Sequence, residues 1–336
     1  MIINYKTIFF QNKPVIKSTY SVVGPKEYSG PIGKFFDYAL KEDRFGESTY
    51  EKAECKMLSK AISGIKKNLN LEDSDIDVLL AGDLLNQIIS ASYSARDYEI
   101  PFFGLYNACA TIVEALTLGA TLVDGKYTRN AVCATVSHFS TAERQYRYPL
   151  ELGSTRPPQS QWTVTGSGAY YIENFQKGYP SITSATIGKV VDFGVTDANN
   201  MGAAMAPSAC STICRHFHST KTTPSDYDLI VTGDLGALGS RILKKLIKDE
   251  GFNIDANHVD CGELIYNIDE KVYQGGSGAG CSAVVFASYL YPKLKDKKVN
   301  KVLFIATGAL LSTVSAGQGE SIPGIAHAIS LENVYD

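Results

Sequence analysis

Cys109 is the residue best placed for chemistry. It ends the run Pro101-Phe102-Phe103-Gly104-Leu105-Tyr106-Asn107-Ala108-Cys109, and an Ala/Leu-rich stretch follows it to Asp124. An apolar strand, a turn and a helix are expected, with the thiol at the helix N-terminus. Backbone N–H groups there point outward and favour negative charge. That field lowers a thiol pKa and also suits a carboxylate ligand. Cys109 is therefore a candidate nucleophile or part of an anion site. A second turn, Gly275-Gly276-Ser277-Gly278-Ala279-Gly280-Cys281, also opens a helix. It lacks the Lys-Ser/Thr ending of a phosphate loop, and small residues for close helix packing explain it better.

A nucleophilic thiol needs a base and oxyanion donors. His138 and His327 are the histidines to consider. His216 and His218 fall on an amphipathic helix and are expected on its solvent side, and His258 falls in a polar loop. Arg144 and Arg147 could each hold a carboxylate bidentately, or form ordinary ion pairs. Asp83 and Asp234 are expected at matching ends of two strands, so acid/base pairing between them is not implied. Cys210, Cys214 and His218 lie one helical turn apart. Cys210 also belongs to an apolar stripe with Ala203, Ala206, Ala209, Ile213 and Phe217, so packing is expected there and no metal.

The elements that must carry these residues alternate between strand and helix. Residues 51–69 read as an amphipathic helix and Val78–Asp83 as a buried parallel strand. Asn130–Ser137 is a further strand. His138–Pro158 is polar and expected to be irregular. Trp162–Ile172 reads as a strand pair around Thr165-Gly166-Ser167-Gly168, Ile182–Val195 as strand, and Ala198–Phe217 as helix. The pattern then returns. Asp226–Leu235 echoes Asp75–Leu84. Cys281 stands to Cys109 as Ala306-Thr307 stands to Ala134-Thr135, at one shared offset. An internal duplication is expected, with halves 1–178 and 179–336 and an extra strand and loop near Gly262–Tyr273. Two such halves predict an α/β fold, a five-layer αβαβα sandwich with two buried central helices of small residues.

Composition narrows the function. The chain has 336 residues, a net charge of −3 and no Lys/Arg block, so a nucleic-acid partner is not expected. Met1–Pro14 does not read as a signal peptide. Ile100–Val123 has Glu114 as its only charge, but Pro101, Gly104 and Asn107 leave at most Ala108–Val123 helical. That is short for a bilayer and suits a buried helix. The seven cysteines show no dense framework, so reduced thiols in an intracellular compartment are expected.

Tyr106-Asn107-Ala108-Cys109-Ala110-Thr111, on a buried helix in a duplicated β/α chain, resembles the thiolase and ketoacyl-synthase superfamily. There the equivalent cysteine is acylated, and histidine and asparagine partners support it. Where that superfamily carries His-Gln-Ala-Asn, this chain reads Gly233-Asp234-Leu235-Gly236. Where it carries Asn in Gly-Asn-Thr, this chain reads Gly275-Gly276-Ser277. Both catalytic positions are changed. Longer runs resemble the stage V sporulation protein AD family: Val23–Glu27, Ala81–Gln87, Thr141–Pro149, Thr163–Ala169, Thr307–Ser312 and Glu320–Pro323. Leu105-Tyr106-Asn107 departs from the small or apolar residues expected before the cysteine.

That resemblance implies a thiolase-like fold without catalysis and no cofactor. It implies binding of dipicolinate (pyridine-2,6-dicarboxylate), travelling with Ca²⁺. It also implies a soluble subunit, inside the developing spore, docked on the channel subunits of the spore inner membrane. The expected ligand site gathers Cys109, Ser137, His138, Arg144, Arg147, Asp234, Gly276 and Ser277, with one carboxylate on the backbone N–H groups of the glycine turn. A homodimer through Asn130–Val136 is expected, by likeness to thiolase-like proteins. The competing readings are an acyl-CoA-dependent acyltransferase or condensing enzyme using Cys109, and a pure assembly subunit.

Overall fold

The computed structural model describes residues 7–147, 150–153, 155–268 and 272–334. The principal strands are β1 (Val15–Val23), β2 (Leu79–Gly82), β3 (Phe102–Leu105), β4 (Asn130–Ser137), β5 (Gly166–Glu173), β6 (Ser181–Thr186), β7 (Leu229–Thr232), β8 (His258–Asp260), β9 (Lys301–Ala309) and β10 (Gly324–Glu332). The helices that matter here are α1 (Tyr50–Leu69), α2 (Ile89–Ala95), α3 (Thr111–Asp124), α4 (Phe139–Tyr146), α5 (Met201–Thr220), α6 (Gly236–Asp249), α7 (Cys261–Ile265) and α8 (Ala279–Val285).

The strand order reads the same way twice. The first half runs β1-β5-β4-β2-β3 and the second β6-β10-β9-β7-β8. In each, the first two pairings are antiparallel and the last two parallel. The pair Val15–Ser181 joins them into one 12-stranded sheet, and Thr7–Phe9 pairs with β6 of the other half.

Helix α1 shows how the sequence fixes these elements. Thr49 caps it by accepting from the Lys52 N–H at 3.2 Å, and Asn70 ends it in the left-handed region at φ 53°. Its buried face is Ala53, Met57, Leu58, Ala61, Ile62 and Ile65, at helical spacing. It packs on β1, β5 and β4, while α5 packs on β10 and β9.

Helix α3 touches strands of both halves: β4, β2 and β5 on one side, β9 and β10 on the other. Its Gly119 is required, because a Cβ there would lie 2.8 Å from Cys133 Sγ. Helix α8 packs on β5 and β4. It reaches the other half through Cys281, whose Sγ lies 3.6 Å from the Gly233 carbonyl. Just beyond it, Phe286 stacks on Phe304 with ring centroids 4.1 Å apart.

Several expectations need correction. Within the polar stretch after His138, Phe139–Tyr146 folds as α4, with Glu143 pairing Arg147 and Arg156 and Arg144 reaching Glu51 on α1. Trp162–Thr163 does not form a hairpin with the next strand; it pairs in parallel with Gly276–Ser277 from the other half. Strand β6 stops at Thr186, and Cys261–Ile265 is helix where a strand was expected. His216 is fully buried between Thr186 and Tyr227, and His258 is a strand residue bonded to the Thr232 hydroxyl. Strand β4 is buried at every residue and flanked by β5 and β2, so it has no edge to offer a second copy.

Candidate functional site

Strand β3 delivers the chain to a turn in which Ala108 sits at φ 48°. A non-glycine residue in this region costs on the order of 1–3 kcal/mol and is held by its surroundings. Here the Ala110 N–H bonds the Asn107 carbonyl at 3.0 Å, and Thr111 Oγ1 donates to the Ala108 carbonyl at 2.7 Å. Cys109 therefore lies in the turn, ahead of α3, and not within the helix.

From the opposite half, the two-residue ladder of Gly276-Ser277 against Trp162-Thr163 sets Ser277 beside this thiol. Cys109 Sγ and Ser277 Oγ are 4.0 Å apart. Gly278 turns the chain into α8 at φ 113°, a conformation that favours glycine. Asp234, at the end of β7, is almost fully buried beneath them. Its carboxylate accepts from Ser277 Oγ at 2.9 Å, from the Gly278 N–H at 3.0 Å and from Thr307 Oγ1 at 2.7 Å.

The electrostatic consequence reverses one expectation. Burial, and then the charge of Asp234, push the Cys109 thiol well above its ordinary value. The helix field does not activate it. The Gly278 N–H, expected to hold a ligand carboxylate, already serves Asp234. Under limiting iodoacetamide we expect Cys214, whose thiol is lowered by its hydrogen bond with Cys210, to be alkylated before Cys109. Peptide mapping that finds Cys109 first would show an activated thiol.

A chamber of about 30 Å³ lies over Cys109 and Ser277. Most of its wall is apolar or aromatic, including Leu84, Ala142, Met201, Leu311, Tyr106 and Tyr146. Arg147 is the cation that lines it. Its side chain is 4% exposed and pairs with Glu143 one turn back. Glu143 also holds Arg156 at 2.7 Å, so its charge is divided between two guanidiniums. Nε of Arg147 has no partner among the described residues.

The chain matches the family described as Stage V sporulation protein AD (SpoVAD) across residues 4–332. It is 45% identical to Stage V sporulation protein AD of Bacillus subtilis (strain 168) over 327 residues, 97% of this chain and 96% of that one. This chain belongs to the SpoVAD family. Among solved structures it is similar to cerulenin-bound OleA from Xanthomonas campestris, with TM-score 0.62, 12% identity, and coverage of 97% of this chain and 100% of that one. It is also similar to the 3-oxoacyl-[acyl-carrier-protein] synthase III of Aquifex aeolicus VF5, with TM-score 0.55, 12% identity, and coverage of 95% and 99%. The tetronic acid condensing enzyme AbyA1 gives TM-score 0.60 at 13% identity, covering 95% and 99%. At such identities the likeness concerns the fold, which is thiolase-like α/β.

Within this SpoVAD-family chain, the expected site residues separate. Cys109, Ser277, Asp234 and Arg147 come together at or beneath the chamber. Gly276 is buried just behind, its carbonyl accepting from Gln161 Nε2 at 2.9 Å. Ser137 is internal: its Oγ donates to the Val164 carbonyl and accepts from the Gly280 N–H. His138 caps α4. Its Nδ1 accepts from the Ser140 N–H at 3.1 Å, so the neutral ring carries its proton on Nε2 and donates to the Asp43 carbonyl at 2.9 Å. Arg144 lies outside the chamber, paired with Glu51 at 3.0 Å. His327 Nδ1 accepts from the Gly188 N–H, and Nε2 lies 2.6 Å from the Asn107 amide. Burial lowers its pKa to about 4. Neither histidine has a ring nitrogen left for the thiol.

Sequence reasoning missed two further features. Tyr106 and Tyr146 close the chamber with their hydroxyls 3.0 Å apart. Behind its wall, Glu54 and Asp83 form a buried carboxylate pair, and Glu54 accepts from Thr141 on α4 at 2.7 Å. Only the spatial meeting of distant segments creates either feature, so no local spacing announces them.

Proposed function

We propose that this chain is a non-catalytic, thiolase-like protein that binds dipicolinate in the chamber over Cys109. The observation that carries this reading is Arg147, a buried guanidinium that shares Glu143 with Arg156 and opens into a mostly apolar, aromatic-walled space. A flat aromatic diacid needs such a slot and such a cation. Catalysis by the acyl-transfer route is disfavoured on the same geometry. The thiol is raised, its neighbours are Asp234 and Ser277, and both nearby histidines are committed to structural bonds. Dipicolinate comes from the family membership, not from the cavity alone.

The test is titration calorimetry with dipicolinate and picolinate. A charge-assisted hydrogen bond contributes about 1.5–3 kcal/mol, so picolinate should bind roughly ten- to a hundredfold more weakly. Equal affinities, or heat from neither acid, would count against the reading.

The repeated strand order supports an internal duplication, with halves 1–178 and 179–336 forming the five-layer αβαβα arrangement. Among the described residues, no helix is long and apolar enough to cross a membrane, and no group of three or more His, Cys, Asp and Glu side chains is arranged to hold a metal. A Ca²⁺ that accompanies the ligand would be bound by the ligand's own carboxylates. Attachment to the inner membrane of the developing spore would come through channel subunits.

The homodimer moves to a different strand. Among the described residues, β3 at the end of the sheet has one unpaired edge, where Phe103 is 58% exposed. Such an edge is a template for pairing with a second copy. Light scattering should show a dimer, and Phe103→Asp a monomer. A dimer that survives this change would place the interface elsewhere.

A further inference from the structure

The small chamber is not the only cavity at this end of the molecule. An outer cleft of about 320 Å³ lies directly in front of it, bordered by Asn86, Gln87, Gln145, Ser312 and Thr313. Three residues line both spaces: Tyr106, Tyr146 and Leu311. They form the partition. The inner space, at about 30 Å³, has room for water-sized molecules and not for an aromatic ring while the partition stands.

The partition has a fixed leaf and a loose one. Tyr146, the last residue of α4, donates its hydroxyl proton to the Leu84 carbonyl. Gln145 Nε2 donates to the same carbonyl at 3.1 Å. The segment carrying Leu84 is itself pinned, since Asp83 accepts from the Leu85 and Ala91 N–H groups at 2.7 Å each. A phenol has one proton, so the 3.0 Å contact between the hydroxyls must be Tyr106 donating to Tyr146. Tyr106 is 48% exposed, and its hydroxyl can exchange this bond for water by a side-chain rotation.

We propose that Tyr106 and Tyr146 are a size-selective gate between the outer cleft and the Cys109 chamber, with Tyr106 the moving leaf and Tyr146 the post. Opening joins the two spaces into one pocket deep enough for a small planar acid, and the Leu84 latch on Tyr146 keeps the mouth too narrow for bulky groups. The gate rests on the ligand reading above only in taking the chamber as the ligand's end point.

Cys109 reports on the gate without any ligand. Its alkylation is followed by peptide mass mapping, with iodoacetamide as the small reagent and N-pyrenylmaleimide as the bulky one. In the wild type, Cys109 should react slowly with the first and not with the second. Tyr106→Ala should accelerate the small reagent by about tenfold or more and admit the bulky one. Tyr146→Phe, which removes the latch, should accelerate it roughly two- to tenfold, the range for one hydrogen bond. Cys214 labels in a separate groove and should keep its rate in every variant. Unchanged Cys109 rates in Tyr106→Ala would overturn the gate, as would wild-type labelling by both reagents or equal acceleration at Cys214. A dipicolinate arm separates the two readings. Gated labelling with no protection by dipicolinate refutes the ligand site and leaves the gate standing.

Discussion

Replacing Glu27 by Gln should flatten the pH dependence of stability by about 3 kcal/mol between pH 4.5 and 8. Glu27 is almost fully buried, and accepts from the Tyr266 hydroxyl and from the Thr165 N–H at 3.0 Å. Burial raises its carboxyl from 4.5 to about 7, with the two hydrogen bonds opposing. The folded state therefore holds a proton that the unfolded state releases. A raised acid contributes stability that is fully present below about pH 4.5 and is lost as the pH rises through about 7. At about 1.36 kcal/mol per unit, the shift amounts to roughly 3 kcal/mol. Gln is neutral throughout and lacks this slope. His216 and His327, whose pKa values burial lowers to about 4, act with the opposite sign in the same range. They are present in both proteins and cancel in the difference. Urea unfolding of the two proteins at several pH values checks this, and parallel curves would show that Glu27 ionises normally.

The second large effect is expected at Arg147. Arg147→Met keeps an unbranched apolar stem next to Met201 and removes the guanidinium. Glu143 retains Arg156 as its partner at 2.7 Å, so the change does not strand a buried carboxylate. Dipicolinate affinity should fall roughly ten- to a hundredfold, by the value of a charge-assisted bond. Picolinate, whose single carboxylate would take the same guanidinium, should weaken by a similar factor. Unchanged dipicolinate affinity in this variant would show that Arg147 meets no carboxylate.

Much of this architecture is legible because it is written in local patterns. The Met57, Ala61 and Ile65 spacing gives α1, the continuous run at Val78 gives β2, and the small-residue turns before Thr111 and at Gly275–Gly278 lead into α3 and α8. Ser277 and Asp234 lie beside Cys109, at the two places where the chain departs from the catalytic motifs. Other features depend on contacts that no short window contains. Arg144 and Arg147 read alike in sequence, but one faces solvent beside Glu51 while the other is folded under Glu143. The parallel pairing of Trp162-Thr163 with Gly276-Ser277 is too short to leave a periodic trace. His216 reads as solvent-facing because its helix is amphipathic, yet Thr186 and Tyr227 from other elements bury it. The expected activation of Cys109 is absent for a related reason. A helix terminus can be read from sequence, but the buried carboxylate that opposes it comes from the other half of the chain.

The most direct test of the central claim is a crystal of this protein soaked in dipicolinate. The account predicts a flat ring between Cys109 and a displaced Tyr106, with one carboxylate on the Arg147 guanidinium and Asp234 still bonded to Ser277 and Gly278. A ligand bound away from this chamber, with Tyr106 and Tyr146 still in contact and Arg147 untouched, would contradict it.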